Sequence, residues 1–196
     1  MKEFVYYVDQ YDTPTGETSE KYAAHHAHTK LHAAFSVYVF NNKGQFLVTQ
    51  RAATKKVWPG VWTNSCCGHP FPEESREDAI KRRLQYELGM TAKDLQIMLP
   101  NYTYKTPPFN GIIEHEYCPV YIAYAASEPV PNPTEVAQYY WMDWQDFVAA
   151  AENDNTDIAR RDFMNAVPTG ESRSLGIWSW WCKDQLKQLK NHLLIK

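Results

Sequence analysis

Apolar and polar positions along this chain follow two different periods, and those periods predict its elements. Phe4–Val8 is a short apolar run suited to an edge strand. Residues 11–20 are rich in Asp, Thr, Pro and Gly and predict a turn. Residues 34–40 and 45–51 are β-rich runs flanking Asn41-Asn42-Lys43-Gly44, which predicts a hairpin. Residues 55–62, with Trp58-Pro59-Gly60, predict a loop, and residues 66–72 a Gly/Pro-marked approach to a helix. Residues 73–88 carry Ala79, Ile80, Leu84 and Leu88 at helical spacing and stop at Gly89. Residues 97–104, 114–125 and 139–144 read as strands, with a Pro-rich turn over 128–132. Residues 145–152, with Asp143 as N-cap, open a helical C-terminal part. It closes with an amphipathic helix over 177–194. This order predicts an α+β fold with strands on both sides of one central helix.

The chain's 196 residues suit one domain with one core. A net charge of -3 supplies no global basic field, which argues against a nucleic-acid binder. An anionic ligand would need a local cluster of Lys and Arg instead. No apolar run approaches the roughly 20 residues that span a bilayer, so no membrane partner is expected. The start, Met1-Lys2-Glu3-Phe4, lacks a secretory pattern. Cysteines at 66, 67, 118 and 182 suggest no disulfide framework, and a reducing cytoplasm is the expected location.

Gly68, Glu74, Arg82, Leu84, Glu87, Gly89 and Met90 fall at the spacing of the Nudix box, and the segment resembles it. Two positions depart from that pattern. Arg83 and Tyr86 stand where Nudix pyrophosphohydrolases carry glutamates that hold divalent ions. A cation in place of a carboxylate removes ligand charge and repels metal. Diphosphate hydrolysis is therefore expected to be disabled while diphosphate binding is not, and Arg83 itself suits phosphate.

A second set of residues has metal-ligating chemistry: His25, His32, His69, Glu114 and Glu116. Strand alternation aims Glu114 and Glu116 to one face and His115 to the other. Three imidazoles and two carboxylates suit a divalent ion of Mn or Mg type, with Zn possible. His26, His28 and His115 read as ordinary surface or core histidines.

Tyr22-Ala23-Ala24-His25, Leu31-His32, Trp58-Pro59-Gly60, Trp62-Thr63-Asn64-Ser65, Cys67-Gly68-His69-Pro70, Tyr86-Glu87-Leu88-Gly89 and Glu114-His115-Glu116 together resemble the type 1 isopentenyl-diphosphate isomerases of the Nudix superfamily. The similarity runs from about Lys21 through Val120 and continues weakly beyond. It implies a single Nudix-type α/β/α sandwich over 1–196, with a mixed sheet and a central Nudix-box helix. An N-terminal extension over about 1–30 would carry a ligand histidine, and C-terminal helices would occupy about 145–196. It also implies one metal on His25, His32, His69, Glu114 and Glu116, and a second Mg site at Glu87 shared with a diphosphate. The small-molecule diphosphate would lie on Lys21, Arg51, Lys55 and Arg83. A monomer or homodimer is expected.

The implied reaction is a 1,3-allylic proton shift from isopentenyl to dimethylallyl diphosphate through a tertiary carbocation. An unactivated alkene needs a placed acid, a placed base and a stabilised cation between them. The resemblance assigns proton transfer to Cys67 and Glu116, and to Tyr104 a hydrogen bond to Glu116. Trp178 is the match for the aromatic face on the cation; Trp180 and Trp181 lie close by, and Trp181 is read as helix packing. Cys67, placed before Gly68-His69 at a helix start, is expected to favour thiolate. Two other readings stay open: a nucleotide pyrophosphohydrolase, and a Nudix-like binding module without turnover.

Overall fold

A computed structural model describes residues 3–153 and 178–190. The chain runs β1 (Phe4–Val8), β2 (Pro14–Glu20), α1 (Lys21–Ala24), β3 (His32–Ala33), β4 (Phe35–Phe40) and β5 (Phe46–Arg51). It continues through β6 (Trp62–Thr63), β7 (Cys66–Gly68), α2 (Arg76–Leu88), β8 (Ala92–Leu99), β9 (Thr103–Lys105) and β10 (His115–Tyr117). The last described elements are β11 (Val120–Ala125), β12 (Val136–Met142), α3 (Trp144–Asn153) and α4 (Trp180–Leu189).

The larger sheet has the order β12-β5-β4-β11-β8, with β6 added to β5 and β7 to β4. It is mixed: β4 and β11 are parallel, and the other pairs antiparallel. Strand β4 is buried along its whole length, and its alternation decides which helix each residue meets. Phe35, Val37 and Val39 join Ile80, Leu84 and Leu88 of α2 in one apolar cluster. Tyr38 and Phe40 join Phe147 of α3 and Trp181, Leu186 and Leu189 of α4 in the other. Helices thus cover both faces of the sheet, which is the expected α/β/α arrangement.

The smaller sheet, β2-β1-β3-β10-β9, stands at the edge of this sandwich. Parallel pairing of β3 with β10 places Glu116 directly beside His32.

Helix α2 is fixed at both ends. Ser75 accepts a hydrogen bond from Asp78 N at the start, and Gly89 closes the end with φ 55°. Gly68 allows α2 to approach β7. A Cβ there would lie 3.0 Å from both Arg83 Cγ and Phe35 Cζ.

Five local expectations are corrected. The turn expected over 11–20 is confined to its first residues, where Asp9 Oδ1 accepts from Tyr11 N and Thr13 N; β2 follows. The stretch expected as a helix approach contains strand β7, and α2 begins only at Arg76. The strand expected over 97–104 is two strands, β8 and β9. The strand expected over 114–125 is also two, β10 and β11, and they lie in different sheets. Pro119 has no N–H for a ladder, and Cys118 N turns to Tyr102 O instead. The closing helix starts at Trp180, capped by Ser179, so Trp178 lies outside it. Residues 177 and 191–194 of that expected helix lie outside the described residues.

Candidate active site

The ligand-type side chains converge from four separate places. His25 follows α1, His32 sits on β3, His69 follows β7 and Glu116 sits on β10. One ligand atom from each lies within 4.8 Å of all the others. His32 Nε2 is 3.2 Å from His69 Nε2, which is 3.0 Å from Glu116 Oε1. The backbone sets two of the tautomers. His25 Nδ1 donates to Lys21 O at 2.5 Å and His32 Nδ1 to Lys30 O at 3.0 Å, so each presents a bare Nε2.

Electrostatics favour the metal-binding form. Burial pushes the His25 imidazolium down to about 4, and neighbouring His32 adds to that. Burial lowers His69 to about 3, although Glu116 opposes it. Both rings are therefore neutral near pH 7, which is the ligand state. For Glu116 burial alone would raise the carboxyl, but His32 and His69 outweigh it and hold it well below the ordinary range. Metal–ligand bonds of about 2.1 Å put adjacent ligands about 3 Å apart. The observed 3.0 and 3.2 Å spacings fit one divalent ion.

Glu114 stands outside this group of four. Tyr104 Oη lies between the two carboxylates, 2.8 Å from Glu116 and 3.2 Å from Glu114. Burial and the Glu116 charge raise Glu114 to about 7. The shared tyrosine follows from alternation along 114–116, and His115 points away toward Thr29 O.

A cavity of ≈ 320 Å³ opens beside the cluster. Cys67, Tyr104 and Trp181 line it near His25, His69 and Glu116. Lys21, Arg51, Lys55 and Arg83 also line it, together with Glu87. All four cations have internal partners. Lys21 pairs with Glu3 at 2.6 Å, Lys55 pairs with Glu135, and Arg51 donates to the carbonyls of Val57 and Trp58. Arg83 bonds Glu87, Glu135 and Glu3. Glu87, expected at a second metal site, is ion-paired with Arg83 in this structure.

Two expectations about the reactive groups are corrected. Trp178 does not line the cavity: it is buried against Phe147 and bridges to Trp62, while Trp181 packs in the core as expected and also lines the wall. Ser179 as N-cap turns the first residues of α4 so that Trp181 faces inward. Cys67 lies on β7, away from any helix start, and burial raises its thiol to about 12. That burial disfavours the thiolate. Its sulfur lies 3.1 Å from Asn64 Oδ1 and 3.2 Å from Ser36 Oγ.

Sequence reasoning missed Glu3, Glu135, Ser36 and Gln185 as neighbours of the site. Only Asn64 had a signal, as part of the quoted Trp62-Thr63-Asn64-Ser65 run.

Residues 30–165 match the NUDIX domain family. The chain is 45% identical over 171 residues to the isopentenyl-diphosphate Delta-isomerase of Saccharopolyspora erythraea, covering 87% of this chain and 78% of the relative. It belongs to the isopentenyl-diphosphate Delta-isomerase family. The family's Salmonella typhi member is 48% identical over 152 residues, covering 76% of this chain and 83% of that one. A solved Deinococcus radiodurans protein, DR0079, shares the fold at a TM-score of 0.60 and 17% identity, covering 82% of this chain and 99% of that one.

Membership in the isopentenyl-diphosphate Delta-isomerase family accords with the state of α2. On that helix Arg83 pairs with Glu87 and Tyr86 is exposed, and Glu74, just before it, is tied to Arg82. Among the described residues no carboxylate of α2 joins a metal-type cluster.

Proposed function

We propose that this chain converts isopentenyl diphosphate into dimethylallyl diphosphate, with Cys67 and Glu116 as the proton-transfer pair. The observation that carries this reading is the meeting of a buried cysteine thiol and a carboxylate on one cavity, where burial favours the neutral thiol and the imidazoles favour the ionised carboxylate. One group that can give a proton and one that can take it are what an allylic proton shift requires. The acid loses its proton to one end of the allyl unit, and the base removes one from the other end. Tyr104 orients Glu116 through its 2.8 Å hydrogen bond.

Trp181 is the aromatic residue suited to stabilising the intermediate tertiary cation. Its ring lines the cavity, and its Nε1 is anchored 3.2 Å from Asn64 Oδ1. Val57, Tyr104, Ile112 and Trp181 give the cavity its apolar and aromatic wall, which would disfavour water at that cation.

His25, His32, His69 and Glu116 would hold the divalent ion, Mn2+ or Mg2+, with Zn2+ also compatible. That ion would supply positive charge beside Glu116 and tune its proton affinity. Glu114 would assist from beside the group. Lys21, Arg51, Lys55 and Arg83 would bind the diphosphate, which would bring Mg2+ to Glu87 by releasing it from Arg83.

Turnover in deuterated water tests the reading. Metal-loaded protein with isopentenyl diphosphate and Mg2+ should give deuterium-labelled dimethylallyl diphosphate. Release of pyrophosphate without isomer, or no exchange at all, would overturn it.

A further inference from the structure

Beneath Cys67 runs a chain of polar side chains that the proton-transfer pair does not itself account for. Ser36, Tyr38 and Gln185 are all 0% exposed. Burying three polar groups in an apolar core is costly unless every one is satisfied. Tyr38 Oη lies 3.0 Å from Gln185 Oε1, Gln185 Nε2 is 2.9 Å from Ser36 Oγ, and Ser36 Oγ is 3.2 Å from Cys67 Sγ.

Donor counting sets the direction at Asn64 and favours one direction at Ser36. Asn64 Nδ2 donates to the carbonyls of Val37 and Cys66, and Asn64 Oδ1 accepts from Trp181 Nε1. The amide orientation of Asn64 is therefore set, and its oxygen faces Cys67 Sγ. Only the S–H can donate across that contact. On the other branch, Tyr38 has two acceptors in reach: the Gln185 oxygen at 3.0 Å and the weaker Cys182 sulfur at 3.8 Å. Donation to the amide oxygen leaves Gln185 Nε2 to donate to Ser36. Ser36 Oγ then accepts from Gln185 and has its own hydrogen to give. The nearer acceptor is Cys67 Sγ at 3.2 Å, against Cys118 Sγ at 3.5 Å.

Both partners of the thiol are thus held by one helix. Trp181 grips Asn64 and Gln185 grips Ser36, and the two lie one turn apart on the buried side of α4. We propose that Ser36, held by Gln185 from α4, is a positioning residue for Cys67. Asn64 aims the S–H, and the Ser36 hydroxyl fixes the sulfur's lone pair and so the direction of proton transfer. Gln185 acts only through Ser36. This inference rests on the reading of Cys67 as a proton-transfer residue.

Steady-state kinetics on metal-loaded Ser36→Ala, Gln185→Leu, the double variant, Ser36→Thr and Cys118→Ala test it. Loss of one positioning hydrogen bond should lower kcat about 10-fold and leave KM within about twofold. Ser36→Thr, which keeps the hydroxyl, should recover most of the loss. Gln185→Leu should add nothing in the Ser36→Ala background, and Cys118→Ala should not reproduce the defect. The infrared S–H band of Cys67, isolated by difference against Cys67→Ala, should shift in Ser36→Ala. Gln185→Leu serves the same comparison if Ser36→Ala does not fold. Unchanged kcat in Ser36→Ala, additive losses in the double variant, or the same loss in Cys118→Ala overturns the proposal. If Cys67→Ala itself keeps turnover, the reading of Cys67 fails first; if only Ser36→Ala is unimpaired, this inference alone fails.

Discussion

Two sets of side chains on the cavity, the metal-type ligands (its metal end) and the four cations (its anion end), follow opposite electrostatic plans. The metal end gathers three imidazoles and one carboxylate with no Lys or Arg among its ligands. Backbone carbonyls lock the His25 and His32 rings, so those ligands are in place before any ion arrives. The anion end gathers four cations, of which Lys21, Lys55 and Arg83 are paired with carboxylates and Arg51 is held by backbone carbonyls. Arg83 has five N–H groups, and its bonds to Glu87, Glu135 and Glu3 use four of them. One end is preorganised around an unmet charge. The other holds Lys21, Lys55 and Arg83 already paired, so an anion binding to those three competes with an internal carboxylate.

The largest expected effect separates the chemistry from both ends. Cys67→Ala removes the acid but touches neither the four metal-type ligands nor the cations. It should lower kcat about 10³-fold, within the range of lost general acid–base catalysis, while metal content and KM stay near wild type. Metal analysis alongside the kinetics checks this. A Cys67→Ala protein that loses its metal would show that the metal end depends on the thiol, and the contrast between the ends would need redrawing.

A pH titration of the metal-free protein probes the metal end alone. His25 and His69 titrate near 4 and 3 in the folded chain against an ordinary 6.5. The unfolded chain therefore binds more protons below pH 6.5, and their contribution to stability falls as pH drops. Glu114 works the other way: raised to about 7 from 4.5, it gains stability over pH 7 to 4.5. Two histidines against one carboxylate leave a net loss on the order of 2 kcal/mol by pH 4.5. Urea melts between pH 7 and 4.5 measure it. Added metal should oppose the loss, because protons compete for the same nitrogens. Stability that rises steadily on acidification would contradict the burial of neutral imidazoles.

How much of this was legible in the sequence also differs between the two ends. The Glu114/Glu116 face, the helix closed by Gly89 and the hairpin around residues 41–44 were readable because each depends on local period and turn chemistry. The histidines had ligand chemistry, but only pairing of β3 with β10 and β4 with β7 brings them together. The break at Cys118-Pro119 was hidden inside a continuous apolar run, since strands buried on both sides look alike in either sheet. Trp181 packs in the core as expected, and its second role on the cavity wall is one that helical period alone does not show. The thiolate expectation rested on a metal and on a helix start, and the helix starts only at Arg76. The carboxylates of the anion end were invisible for a different reason. Glu3 and Glu135 meet Arg83 across 80 and 52 residues of chain, and no local spacing encodes such a pairing.

Glu3 offers the smallest but sharpest test of the contrast. Of the three carboxylates on Arg83 its side chain is the most exposed, 29% against 15% for Glu135 and 11% for Glu87. It is also the only one that holds Lys21 as well. Lys21 N donates to Glu3 O at 2.8 Å, so the backbone stays pinned and only the side chain is free to swing. Exchange with an incoming diphosphate should therefore be easiest here. Glu3→Gln removes the competing charge and keeps the shape. KM for isopentenyl diphosphate should fall about 3-fold, the scale of a partly exposed ion pair, with kcat unchanged and the effect fading at high salt. Inhibition by inorganic pyrophosphate should tighten by the same factor, because the competition is for the anion and not for the alkene. If KM rises instead, Glu3 supports the cations rather than competing for them, and the anion end is preorganised like the metal end.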